Sequence, residues 1–229
     1  SAREALNKHQ NVLSTLGHTG RSLLAPNHPP FDQVWGLIAH LDEDIEVRLL
    51  GSPARVYHKQ QVVNVTPRMQ EALAIILLSP NPVTLDQFMD AMGETERRPL
   101  QVLLSKLRAL LPLSKAPLTL EAFYWCDAQQ LLHACERHDP KAALELYRGP
   151  LLPFSDSPGV VEMREQIEEA LRRCVIRHGD AEDVLGLAQK THDDLELWET
   201  AQQRADPATP QADLIAARIQ RLQSEYALN

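Results

Sequence analysis

The segment from Arg97 to Leu111 constrains this chain more than any other. Leu100, Leu103, Leu104, Leu107, Leu110 and Leu111 recur at i, i+3, i+4, i+7, i+10 and i+11, the spacing of one wide apolar stripe on an α-helix. Such a stripe has to face a core. The opposite side carries Arg97, Gln101, Ser105 and Arg108, flanked by Arg98 and Lys106, with little acid nearby beyond Glu96. A helix is therefore predicted from about Arg98 to Leu111, ended by Pro112. Pro99 falls in its first turn, where a missing N–H is tolerated.

What surrounds this helix sets its context. IEVRLLG, ARVYH and QQVVNV, between residues 45 and 65, are short, rich in β-branched residues and broken by Gly51-Ser52-Pro53, which predicts a small antiparallel sheet. Thr66 is a suitable cap and Pro67 a suitable first residue for a helix through Ala72, Leu73, Ile76 and Leu77. Pro80-Asn81-Pro82 stops it. Thr84 then opens a short helix that Gly93 closes. After the long helix, residues 117–125 read as one or two strands. The order strand, strand, strand, helix, helix, long helix, hairpin is that of a helix-turn-helix with a wing.

The two flanks read differently. Residues 3–16 predict a weak helix, residues 17–30 a linker, and residues 31–41 an amphipathic helix with Phe31, Val34, Trp35, Ile38 and Leu41 on one face. From Asp127 onward only helices are predicted, over about 127–137, 140–147, 157–178, 180–190, 193–204 and 209–226, with connections short enough for antiparallel neighbours. The expected division is 1–44 as an N-terminal helix and linker, 45–125 as a winged helix, and 126–229 as a helical domain. The fold class is α+β, mainly α.

The net charge of −8 over 229 residues argues against nucleic acid until it is resolved along the chain. Residues 45–125 hold 9 Lys and Arg against 7 Asp and Glu, whereas residues 126–229 hold 11 against 19. The segment bearing the cationic helix face is thus mildly basic, and the acidity sits in the helical half. Cys126, Cys135 and Cys174 form no CxxC pair, which fits unpaired thiols in a cytoplasmic protein. No apolar run approaches the roughly 20 residues of a membrane span, and the first ten residues lack a signal-peptide core. His133 and His138 fall on different helix faces and no cluster has metal-ligand spacing. Glycine-rich phosphate loops and nucleophile motifs are missing, and the pairs Glu168-Glu169 and Asp193-Asp194 are neighbours that point apart on a helix. The sequence predicts no enzyme, no cofactor and no metal.

Residues 47–112 resemble the OmpR-type winged helices of bacterial transcription activators. Thr66-Pro67-Arg68 matches the opening of that family's first helix, Val83 to Asp90 its second helix, and Leu104-Ser105-Lys106-Leu107-Arg108-Ala109-Leu110-Leu111 the end of its recognition helix. Ala143-Leu144-Glu145-Leu146-Tyr147-Arg148-Gly149-Pro150-Leu151-Leu152-Pro153 resembles a stretch of the bacterial transcriptional activator domain, a tetratricopeptide-like helical module that follows such winged helices. Residues 151–160 and Leu171-Arg172-Arg173 resemble the group in which a GAF sensor domain comes first; such a domain does not fit into residues 1–44.

The resemblance implies a DNA-binding transcription regulator. Arg97, Arg98, Gln101, Ser105, Lys106 and Arg108 would meet a major groove, with Arg68 near the duplex backbone. Guanidinium and ammonium groups grip phosphates or guanine, Gln pairs with adenine, and Ser allows close approach. The implied partners are double-stranded DNA, a second copy of the chain, and RNA polymerase or another protein on the helical domain. Two departures leave an alternative open. The recognition helix is less basic than usual, and 117–125 lacks a basic wing tip. A scaffold whose winged helix no longer grips DNA is the second reading. Leu195, Leu197 and Trp198 either line a groove for such a partner or pack in the core.

Overall fold

The computed structural model describes residues 45–191 and 193–227. The helices expected over 3–16 and 31–41, and the linker between them, lie outside these residues. Every described residue belongs to one compact unit.

Strands β1 (Ile45–Arg48), β2 (Arg55–His58) and β3 (Gln61–Val63) form an antiparallel meander. Ile45 and Val47 are buried while Glu46 and Arg48 are half-buried, the alternation of a sheet with one face on a core. Strand β4 (Tyr124–Cys126) joins the other edge of β1 in parallel, giving the order β3-β2-β1-β4.

Helix α1 (Pro67–Leu78) starts where its sequence says it should. Thr66 Oγ1 accepts from the Met69 N–H at 3.4 Å, and Pro67 occupies the first turn. Residues 72–77 are buried without a break, so α1 is the central helix of its half. Helix α2 (Leu85–Met92) has a full capping box between Thr84 and Gln87 and ends at Gly93 in the left-handed conformation. Helix α3 (Arg97–Arg108) packs against α1 through Leu100, Leu104 and Leu107.

Two expectations about α3 and its hairpin need correcting. The apolar stripe is narrower than its periodicity implies: Leu103 is only half-buried and Leu110 is 37% exposed. The helix ends three residues early, because the Leu110 and Leu111 N–H groups both turn back to the Leu107 carbonyl, at 3.0 and 2.9 Å, before Pro112. That tightened turn swings Leu110 outward and keeps Leu111 in the core. The wing, placed by sequence at 117–125, begins at Leu113. It is a narrow hairpin with Leu113 opposite Leu120, closed by Ser114 N–H to Thr119 O at 2.9 Å and Thr119 N–H to Ser114 Oγ at 2.8 Å. Leu118 lies opposite Val83, which ties the wing to the turn before α2.

The remaining helices are α4 (Asp127–Glu136), α5 (Pro140–Leu146), α6 (Pro158–His178), α7 (Ala181–Thr191), α8 (Leu195–Arg204) and α9 (Pro210–Ala227). Contacts run from α4 to α5 and α6, from α6 to α7, from α7 to α5 and α8, and from α8 to α9. Trp198 and Leu197 are buried and Leu195 is half-buried, so packing, not a groove, accounts for Trp198 and Leu197.

The Tyr147–Pro153 motif joins this helical stack to the sheet. Leu152 N–H donates to the Leu49 carbonyl at 3.1 Å and Gly51 N–H to the Pro150 carbonyl at 2.9 Å. Gly51 has φ +75°, and a Cβ there would lie 2.8 Å from the Arg148 carbonyl oxygen, so the close approach requires glycine. Arg164 on α6 fastens the same loop by donating to the carbonyls of Leu151, Leu152 and Ser155 at 2.7, 2.6 and 2.9 Å. At the same end of β1, buried Asp127 accepts the Leu49, Leu50 and Ala128 N–H groups at 2.9, 3.0 and 2.8 Å.

Candidate nucleic-acid interface

With Leu100, Leu104 and Leu107 turned into the core, the exposed line along α3 is Arg98, Gln101, Val102, Ser105, Lys106 and Ala109. These positions step by three and one, which keeps them on one side of a helix. Arg98 and Lys106 enter no hydrogen bond or ion pair among the described residues. Both cations stand in water, flanking a primary amide, a hydroxyl and the isopropyl group of Val102, which is 49% exposed.

The other sequence-derived candidates divide. Arg97 is exposed, and its Nη2 donates to Asp86 Oδ1 at 2.6 Å, an ion pair in full solvent contact that salt or a phosphate can replace. Arg108 is half-buried and donates through Nε and Nη2 to the Ser114 carbonyl at 3.3 and 3.0 Å. It braces the start of the wing and does not stand on the outward line. Arg68 is engaged throughout. Its Nη1 donates to Glu71 at 2.7 Å and to Ser157 Oγ at 2.8 Å, while Nη2 donates to the Met92 carbonyl at 2.9 Å and pairs with Glu94 at 2.5 Å. Burial works against that cation, but Glu71 and Glu94 hold its pKa above the ordinary value. Arg68 therefore locks α1, the end of α2 and the start of α6 together.

Two further exposed groups stand outside the set that the sequence pattern singles out. Lys115 sits exposed at the tip of the wing and has no partner among the described residues. The sequence places the hairpin four residues later, at 117–125, so Lys115 falls outside it; the turn-like run Ser114-Lys115-Ala116-Pro117 after Pro112 is the available signal. Val102 is apolar and so does not count toward a polar face in the sequence pattern. An exposed valine on such a face matches the thymine methyl group.

The helical half offers a cleft of about 880 Å³ whose lining includes Tyr147, Arg148, Glu168, Arg172, Lys190 and Asp194. Its charges are largely paired internally: Arg172 Nε donates to Asp194 at 2.6 Å, and its Nη2 pairs with Glu196. Burial, with Glu168 adding to it, pushes the Tyr147 phenol up to about 12, so it stays a neutral donor. Among the described residues no three His, Cys, Asp or Glu side chains are grouped to hold a metal ion. No described helix is long and apolar enough to cross a membrane.

The arrangement is a winged helix-turn-helix followed by a tetratricopeptide-like helical domain, a mainly helical α+β fold. The solved structure of Mycobacterium tuberculosis EmbR in complex with a low-affinity phosphopeptide has a similar fold: 20% identity, a TM-score of 0.52, and coverage of 82% of this chain and 61% of EmbR. An uncharacterised 47.3 kDa protein of Rhodococcus erythropolis, from the region 5′ of thcA, is 25% identical over 173 residues, which is 72% of this chain and 40% of that protein. Residues 188–228 match a family described as the third C-terminal helical domain of YTH3-like protein. The chain thus spans less than two thirds of the length of either relative.

Proposed function

We propose that this chain is the DNA-binding and helical part of a cytoplasmic, non-enzymatic transcription regulator. In this reading residues 45–125 contact DNA and residues 126–229 carry dimerisation or contacts with RNA polymerase or another protein. The observation that carries it is the outward line of α3. Arg98 and Lys106 are unpaired there among the described residues and bracket Gln101, Val102 and Ser105, groups able to read base edges. Lys115 on the wing supplies a further phosphate contact. Arg97 adds one once Asp86 is displaced. Arg68 and Arg108 are left out of the contact set, since their guanidinium groups hold the fold together.

The experiment is selection from a pool of randomised duplexes. The wild-type chain enriches a motif, and Gln101→Ala, which leaves the phosphate contacts in place, loses preference at one position of it. No enrichment by the wild type overturns the reading. A specific observation favours the alternative of a protein-interaction scaffold. Of four cations on α3, only two are free of partners among the described residues, so each copy neutralises few phosphates and binds weakly alone. Two copies on adjacent half-sites multiply that grip.

A further inference from the structure

The sequence presents three unrelated cysteines, the later two 39 positions apart. The fold brings those two together. Cys135 lies near the end of α4 and Cys174 near the end of α6, and these helices pack side by side. On that seam the two thiols lie near enough for each to act on the other's titration. One turn further along, the imidazoles of His138 and His178 stack with centroids 4.2 Å apart, an independent sign that the two helix ends are held in register. Both thiols are free. Cys135 is half-buried and Cys174 is 5% exposed. Among the described residues the surrounding donors do not converge on a metal position, which leaves the chemistry of two thiols.

We propose that Cys135 and Cys174 are a thiol–disulfide modification site, closed by exchange with a low-molecular-weight disulfide such as oxidised glutathione. Cys135, the accessible member, attacks first as its thiolate. A Cys135–glutathione bond forms, the glutathione S–S bond breaks, and one glutathione leaves as its thiol. Cys174 then attacks the Cys135 sulfur. The Cys135–Cys174 bond forms and the second glutathione leaves, so the protein loses two hydrogens while one small disulfide becomes two thiols. Burial pushes the Cys135 thiol up to about 12, with Cys174 beside it adding to the shift, so the resting pair is protonated and exchange accelerates as pH rises. Cys126 is fully buried, its thiol also pushed up to about 12, and serves as an internal control. The closed bond ties the ends of α4 and α6, the helices that carry Asp127 and Arg164, and so stiffens the join between sheet and helical stack.

The test treats the folded chain with oxidised glutathione at pH 7 and pH 9, quenches with acid, and maps the peptides by mass. The expected product is a Cys135–Cys174 cross-linked peptide, a loss of two hydrogens, faster formation at pH 9, a raised melting temperature, and Cys126 alkylated only after denaturation. Cys174→Ser traps the glutathione adduct on Cys135. In the wild type, a persistent Cys135 adduct that never resolves overturns the proposal, and so do two thiols that stay alkylatable throughout. Neither outcome requires a variant to fold.

Discussion

Single side chains do two kinds of work here, and their partners tell the kinds apart. Lys106 and Arg98 have none among the described residues, so Lys106→Ala or Arg98→Ala lowers duplex affinity and removes about one from the salt slope without moving the melting temperature. Arg97→Ala does less, because binding first gives up the contact with Asp86. Asp127 belongs to the other kind. Asp127→Ala leaves three buried N–H groups without an acceptor and destabilises the chain by about 2–4 kcal/mol in a denaturant titration. Its pH behaviour has a definite sign. Burial raises the Asp127 pKa, against the pull of the N–H groups of Leu49, Leu50 and Ala128 and the charge of Arg148. The folded state therefore favours the protonated acid. This contribution is fully present below the ordinary carboxylate pKa of 3.8 and is lost as pH rises through the higher folded value. In Asp127→Asn that part of the pH dependence disappears.

Among the elements, α2 and α6 meet closely. A Cβ at Gly159 would lie 2.7 Å from the Ala91 Cβ, so the first turn of α6 sits directly on the last turn of α2. Gly159→Ala forces the helices apart and costs about 1–3 kcal/mol, read as a lowered denaturation midpoint. It also loosens Arg68, which bonds to Ser157 just before α6. The wing is the second test: Lys115→Ala weakens duplex binding evenly across sequences, as loss of a phosphate contact does. Much at this scale was legible beforehand. Thr66-Pro67 and Thr84 announce their helices because capping is local chemistry, and Leu100, Leu104 and Leu107 find the core because a 3.6-residue period leaves them nowhere else. What was not legible depends on distant partners. β4 pairs with a strand nearly eighty residues earlier, Arg68 is claimed by Glu94 and Ser157, and Arg108 by a carbonyl of the wing. Lys115 is hard to place from sequence because two leucines, Leu113 and Leu120, and not a β-branched run, build the hairpin beneath it.

Across the whole molecule, the cationic surface and the acidic helical stack share one compact unit. The Tyr147–Pro153 loop, the Arg164 guanidinium and the Asp127 carboxylate fasten the stack to the sheet, and α1 packs on both the stack and α3. The candidate site is thus an outward face of one helix whose position is set by both halves. Fluorescence anisotropy of a labelled duplex, titrated with the chain between 50 and 200 mM salt, tests that face most directly. Arg98, Lys106 and Lys115 together give a slope of log K against log salt of about −3 per bound chain, and the Arg98→Ala, Lys106→Ala double variant reduces it to about −1. Equal slopes for the two proteins, or binding indifferent to salt, would contradict the claim that this face meets DNA.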